Sequence, residues 1–339
     1  MKVNTLQLKR ALSAALFVLL LSVAGTKNAL AQNLVATLKH GDDISFYYGA
    51  NALVDAHNDA ETGDIITLSS GTFAPTTITK AITLRGAGCM EDTISGVHPT
   101  VIPEGMYFNV EDTENYLTVE GIFFQSTSRY WLHHPKFVKC KFDYFWRNNH
   151  SMDNAQFISC VFNTLDLYQA TNTTMINCVA WNCPLDDQNR TVTAFNSIFR
   201  LTYSAYALTA YNCIFFRGNG GYRLSQYSDA HDCIGIRNNY AGTSLFNCNN
   251  YNCMEVNNFS DIFETFAGDF SYEEAYILKD EIATGFLGDD GTEVGIHGGY
   301  MPYDPRPSYQ IVRHYSVPKK SDNEGHLNVE IEVYTEEGE

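Results

Sequence analysis

Residues 175–180 read MINCVA, and the phrase keeps returning: FVKCKF at 137–142, FISCVF at 157–162, AYNCIF at 210–215. Aligned on the cysteine, the column runs Cys140, Cys160, Cys178, Ser197, Cys213, Cys233 and Cys253, at spacings of 20, 18, 19, 16, 20 and 20 residues. VEGIFF at 119–124 fits the same frame with Ile122 in the cysteine column. The residue before the column is often a turn former (Asn177, Asn196, Asn212, Asp232, Asn252), and two residues after it stand Phe142, Phe162, Phe199 and Phe215. A fixed period marks a repeat architecture, and one near twenty residues is too short for the common helical repeats. The units are rich in Phe, Tyr, Val, Ile, Asn and Thr, and their apolar residues alternate over short runs between polar turns, which predicts short strands. Each unit is then one coil of an all-β parallel solenoid, with equivalent residues stacked about 4.8 Å apart. Thiols and aromatic rings form columns inside. Asparagines sit at a bend, where they visit the left-handed conformation cheaply and their amides can bond along the stack.

The first 31 residues do not share this pattern. Lys2, Lys9 and Arg10 precede an apolar run from Ala11 to Gly25, and Ala29-Leu30-Ala31 has the small-x-small form of a signal-peptidase site. The expected product begins at Gln32, exported to the cell surface or medium, and no later stretch approaches the roughly 20 apolar residues of a membrane span. The whole chain carries a formal charge of −17. That disfavours a nucleic-acid partner. Charge is also uneven: residues 121–260 hold 8 acids and 10 bases, residues 261–339 hold 18 acids and 5 bases.

The motif set resembles the right-handed parallel β-helix proteins of the pectin-lyase-like superfamily. GDIITLSSGTF at 63–73 and ITKAITLRGAG at 78–88 look like first coils of such proteins, and the cysteine phrases continue the likeness to about residue 260. ALVDAHNDAETGD at 52–64 has helical apolar spacing and resembles the helix that covers the first open coil. GTEVGIHGGYMPYDPRPSYQIVRHYSV and the tail GHLNVEIEVY resemble a C-terminal segment of secreted Bacteroidetes proteins, with a last strand alternating Leu327, Val329, Ile331 and Val333. The expected organisation is a signal peptide over 1–31, a cap over 32–62, the β-helix over 63–284, and a C-terminal cap with a β tail over 285–339.

Nine cysteines in an exported chain suggest disulfides, but the number is odd and most follow the coils. In-register side chains run parallel with their Cβ atoms too far apart for a bridge, so the column is expected to hold free thiols that act as small apolar groups. Cys89, Cys183 and Cys248 lie outside it and could pair. CxxxxC at Cys178 and Cys183 with a histidine is the sharper zinc alternative.

Function must come from the outer surface. Arg200, Arg217 and Arg237 fall three, four and four residues after the column on successive coils, which predicts a stripe of cations. Three guanidiniums in line repel one another unless they splay or meet anions, and Asp186, Asp187 or Asp229 within the chain, or an acidic glycan outside it, could supply these. Trp181, Tyr203, Tyr222 and Tyr240 offer flat faces for sugar rings. The alternative for the whole group is a solvated edge.

The resemblance implies acidic polysaccharide as a substrate class, and for lyase members an arginine or lysine base with calcium held by aspartates. Here Asp186-Asp187 with Arg190 is the compact candidate, with few carboxylates for a calcium cage of six to eight oxygens. A hydrolase would need several aspartates converging on one face. RPSYQIVR at 306–313 and GIHGG at 295–299 echo lyase and polygalacturonase motifs but lie beyond the coils. YWLHH at 130–134 reads as a loop with surface histidines, as a sugar platform or as a metal site, FDYFWR at 142–147 as core or as a second platform, and GNGG at 218–221 as an inter-coil loop. No catalytic constellation is complete. The sequence therefore favours a monomeric, non-catalytic glycan-binding or cell-surface module without cofactor. A polysaccharide lyase or hydrolase, with calcium in the lyase case, and a purely structural surface protein are the alternatives.

Overall fold

The structure is a computed structural model that describes residues 34–91, 97–147, 151–183, 191–218, 222–238, 243–266, 268–306, 311–316 and 330–334. It is a parallel β-solenoid. One sheet of 12 strands begins with the antiparallel hairpin Val35–His40 and Asp43–Tyr48, continues with Ile65–Leu68, and then stacks one strand per coil in parallel as far as Asn249–Tyr251. A second sheet of 14 strands carries the segment that follows each bend, through Lys141–Arg147, Val161–Leu165, Val179–Asn182, Ile198–Leu201 and Ile214–Arg217 to Met254–Val256. The strand Ile122–His133 spans 12 residues, and its second half pairs with Met106–Val110 and Met152–Asp153 to start a third face. Residues 130–133 of YWLHH are therefore strand, and His134 is the bend that follows.

The columns read from the sequence are present. The residue before each cysteine position has positive φ: Gly121, Lys139, Ser159, Asn177, Asn196, Asn212, Asp232 and Asn252, the non-glycine members between 47° and 55°. A second left-handed column, His134, Asn154, Asn172 and Ala207, turns the third face back into the first sheet. Only Asn154 and Asn172 repeat a letter in it, too few for the sequence to announce a column. All nine cysteines are free. Each column thiol lies against backbone carbonyls, as Cys178 does with Phe157 and Ile176 at 3.3 Å, and Ser197 keeps the pattern by accepting from the Cys178 amide at 3.0 Å. Inside, Phe124, Phe142 and Phe162 stack with centroids 5.1 and 4.9 Å apart, and Phe199 stacks on Phe215 at 5.4 Å.

At the N-terminal end the expected helix forms over Ala52–Asp59, burying Ala52, Leu53, Ala56 and His57, while Tyr47 of the hairpin donates to Asp59 at 2.8 Å. At the other end the last coil strand is Met254–Val256, and among the described residues the chain then doubles back along the flank of the solenoid. Ile262, Phe263, Phe266, Tyr276, Leu278, Val294 and Ile296 cover the outward row Val161, Val179, Ile198, Ile214 and Ile234, forming a second core outside the solenoid. This strap climbs the asparagine column rung by rung. Asn212 accepts from Asp289 and, through its carbonyl, from Gly295; Asn196 donates to Glu293; Asn177 donates to Ile296 and Gly298 at 2.8 Å; Lys139 meets Asp304 at 3.7 Å. The amides expected to bond along the stack thus hold the strap at these three coils, and the along-stack bonds occur elsewhere, at Asp232 with Asn252 and at Asn154 with Asn172.

GIHGG takes part in this docking. A Cβ on Gly298 would lie 1.6 Å from the Glu293 carbonyl oxygen, and Gly299 has φ of +76° beside the Asn196 side chain. The tail strand Glu330–Tyr334 pairs antiparallel with Ile311–Ser316; Leu327 and Val329 lie outside the described residues. Among the described residues no helix is long and apolar enough to cross a membrane.

Candidate functional site: an aromatic column braced from within

The predicted arginine stripe does not form, and strand geometry gives the reason. Successive residues of a strand point to opposite faces, so a shift from three to four residues after the column moves a side chain from outside to inside. The register pairs Arg200 with Phe216 and Leu201 with Arg217. Arg200 therefore faces outward, where its guanidinium lies 5.0 Å from the Trp181 ring and donates to Asn182 at 2.9 Å, and partial burial lowers its pKa from the ordinary value. Trp181 is no open platform, because Phe216, Phe266 and Phe270 pack around it under the strap. Arg217 faces inward and is 0% exposed. Arg237 lies 3.6 Å from Glu255. The three guanidiniums occupy three different settings. Asp229 is taken up by Asn249 at 2.9 Å on the first sheet. Asp186, Asp187, Arg190 and Tyr240 lie outside the described residues.

The tyrosines do come together, in a column the sequence showed only in part. On the third face the inward positions Leu132, Met152 and Ala170 are in register, as are Ala205 and Leu224 further along. Leu132, Ala170 and Ala205 each stand four residues before mutually equivalent positions of the first sheet, Lys136, Thr174 and Thr209, so they share one column. Two residues ahead of these positions stand Tyr130, Tyr168, Tyr203 and Tyr222. Tyr168 is 38% and Tyr203 49% exposed. Tyr203 and Tyr222 lie 5.6 Å apart with rings tilted by 41°, and Tyr107 adds to the other end, 5.7 Å from Tyr130.

Two buried arginines hold this column from inside. Arg129, fully buried, donates from Nη2 to the Tyr168 carbonyl at 2.8 Å. Arg217 donates from Nε to the Tyr222 carbonyl at 2.9 Å and from Nη2 to the carbonyls of Thr243 and Ser244 at 2.9 and 2.8 Å. A planar fork with several donors suits such a cluster of carbonyls better than an ammonium does. Arg217, read from the sequence as a ligand contact, is thus the brace of a neighbouring tyrosine. Arg129 was missed because a single arginine inside an aromatic strand carries no signal of its direction.

Other aromatic surfaces are less suited to sugars. Phe195, Tyr211, His231 and Tyr251 form an outward ladder on the first sheet with centroids 4.5 to 5.2 Å apart and planes within 16° of parallel. Rings stacked in this way cover one another's faces and offer edges to solvent. In FDYFWR, Phe142 and Phe145 are core, whereas Tyr144 and Trp146 stack outward at 5.6 Å and are exposed. A cavity of about 440 Å³ opens between the strap and the first sheet, lined by Ile176, Phe195, Asn196, Asn212, Asp289 and Tyr300 among others. Lys141 reaches between the Phe123 and Tyr272 rings, 4.4 and 3.7 Å from their centroids, while the Tyr272 hydroxyl donates to Asp143; this fastens the strap over the earlier coils. Among the described residues no three His, Cys, Asp or Glu side chains gather as a metal cage.

Comparison of the chain with protein-family models, with curated proteins and with solved structures returns no match.

Proposed function

We propose that this is an exported β-helix module that binds a glycan chain without cleaving it, the contact line being the tyrosine column of the third face. The observation that supports this most is the bracing of the tyrosine column from within: Tyr168, whose ring is exposed, and Tyr222, half-buried against the core beside the exposed Tyr203, are each anchored at the backbone by a desolvated arginine, at Arg129 and Arg217. Burying a guanidinium is costly unless its donors are used, so a fold that does it twice beneath one column is holding that column in place. Tyrosine suits sugar contact because it gives a rigid apolar face and a hydroxyl at small entropic cost. The exported state rests on the leader-like first 31 residues, and the kinship with pectin-lyase-like proteins on the coil motifs.

The test is affinity electrophoresis and calorimetry of the mature chain, from Gln32, on acidic and neutral polysaccharides with and without calcium. Retention without new reducing or unsaturated ends, weakened in a Tyr203→Ala, Tyr222→Ala double variant, is the expected result. Release of unsaturated products would make the protein a lyase. Indifference to every glycan would leave the solenoid a structural or protein-binding surface.

A further inference from the structure

The spacing of the tyrosine column carries a statement about the shape of its ligand, and it rests on the reading of that column as the glycan contact. Tyr130 and Tyr168 stand two coils apart, since Leu132 pairs with Met152 and Met152 with Ala170. Tyr168 and Tyr203 are again two coils apart, since Thr174 pairs with Thr193 and Thr193 with Thr209. With coils spaced like strands at about 4.8 Å, the rings recur at about 9.6 Å along the solenoid axis. At the two ends the column is doubled, by Tyr107 on Tyr130 and by Tyr222 on Tyr203, each pair tilted by 36° or 41°. Paired rings at that distance form one broad contact, so among the described residues the column presents three contact points in regular succession.

We propose that this column takes a flat, two-fold extended glycan of the β-1,4 equatorial type, lying parallel to the solenoid axis. In such a chain each sugar is turned by half a revolution from its neighbour, so the same ring face returns once per disaccharide, at about 10 Å, close to twice the coil spacing. Three regularly placed rings then meet the same face of every second sugar. A three-fold chain of axially linked sugars turns its faces by a third of a revolution per unit, and it would offer the second ring an edge or a hydroxyl cluster where the first had met a face. A wide helical glycan would follow a curve, which a straight column of tyrosines cannot track. From Tyr130 to Tyr203 the column spans four coils, about 19 Å, or about five sugars.

The mature chain should be titrated with oligosaccharides of increasing length in two series, β-1,4-linked glucose or mannose units and α-1,4-linked galacturonic acid units. Affinity should rise with length in the β-1,4 series and level off near about five sugars, with the α-1,4 series weaker at every length. Tyr168→Ala, an exposed position whose loss leaves the coil intact, should lower affinity for the longer β-1,4 chains about ten-fold and leave the shortest almost unchanged, as loss of one stacking contact does. Equal or tighter binding of the α-1,4 series, or no dependence on length, overturns the two-fold chain while leaving a glycan-binding module standing. Binding to neither series, nor to any polysaccharide, overturns both. Full affinity for β-1,4 chains in both Tyr168→Ala and Tyr203→Ala would remove the ligand from this column.

Discussion

Replacing Arg217 by methionine separates a brace from a ligand contact. Methionine fills most of the space with an unbranched apolar chain, so the perturbation is chiefly the loss of donors at three carbonyls, those of Tyr222, Thr243 and Ser244. A buried acceptor left without a partner costs about 1–3 kcal/mol, so three set a gross loss of at most about 3–9 kcal/mol, towards its lower end because Thr243 and Ser244 are exposed residues whose carbonyls water can reach. Against this stands the guanidinium no longer desolvated, worth several kcal/mol in its own right, so the net destabilisation should be about 2–4 kcal/mol. The loss should be local. Amides at 222–225 and 243–246 should exchange faster than those of Thr173–Ile176, and the urea midpoint should fall. Arg217→Lys should lie between, because one ammonium keeps the charge but cannot reach all three carbonyls in fixed geometry. Glycan affinity should drop in both variants in proportion to the disorder at Tyr222. A methionine variant as stable as the parent, with unchanged exchange at these loops and lost binding, would refute the brace and restore Arg217 as a direct contact.

Three further outcomes follow from the packing. Gly298→Ala should unseat the strap: its Cβ would collide with the Glu293 carbonyl oxygen, the amides of Asn177 and Asn196 would lose their acceptors at about 1 kcal/mol each, and faster exchange over 288–304 with a red-shifted Trp181 emission should appear while the inner coils stay protected. Native-state alkylation should modify Cys248 and Cys253, half-buried on the last coil, before the buried Cys140, Cys160, Cys178, Cys213 and Cys233; burial pushes the Cys248 thiol up to about 12, so even its labelling should be slow near neutral pH, and rapid labelling of Cys178 would contradict the column. His57 is held near a pKa of about 4, by burial first and then by Lys80, against 6.5 when unfolded. The unfolded state therefore binds the proton first, so the stability this group contributes is complete above pH 6.5 and is lost as pH falls towards 4, by at most about 3 kcal/mol. Urea titrations at the two ends of that window should show a smaller pH dependence in His57→Gln than in the parent.

How far the sequence could be read depends on whether a position repeats. The thiol column, the phenylalanine stack and the asparagine bend were legible because every coil must meet the same steric demand there, and stacking turns that demand into a recurring letter. The second bend was not legible, because His134, Asn154, Asn172 and Ala207 share a backbone conformation while only the middle two share a side chain. Nor was the destination of the asparagine amides. A composition of turns predicts that amides will be satisfied, but only the fold shows that Asn177, Asn196 and Asn212 are satisfied by residues 289–298, about a hundred positions away.

The arginine stripe failed on parity, and the failure says where function can be placed on such a fold. Arg200 and Arg217 differ by one residue in their distance from the column, and in a strand one residue separates outside from inside. An alignment that tolerates a one-residue offset, as loops do, is blind to this distinction. The tyrosines stand two residues before an inward anchor, Leu132, Ala170, Ala205 or Leu224, and escape inward parity because the chain between is not regular strand: the register shifts between Arg129 and Leu132, and Gln169 has a left-handed φ of 56°. A surface position on a solenoid therefore depends on the distance from the nearest buried column together with any bulge or left-handed residue in between. The tyrosines of the third face and the buried guanidiniums then belong to one arrangement: Arg129 and Arg217 turn inward and hold the backbone at Tyr168 and Tyr222, and the Arg217 charge that the sequence suggested as a ligand contact is spent on carbonyls inside the fold.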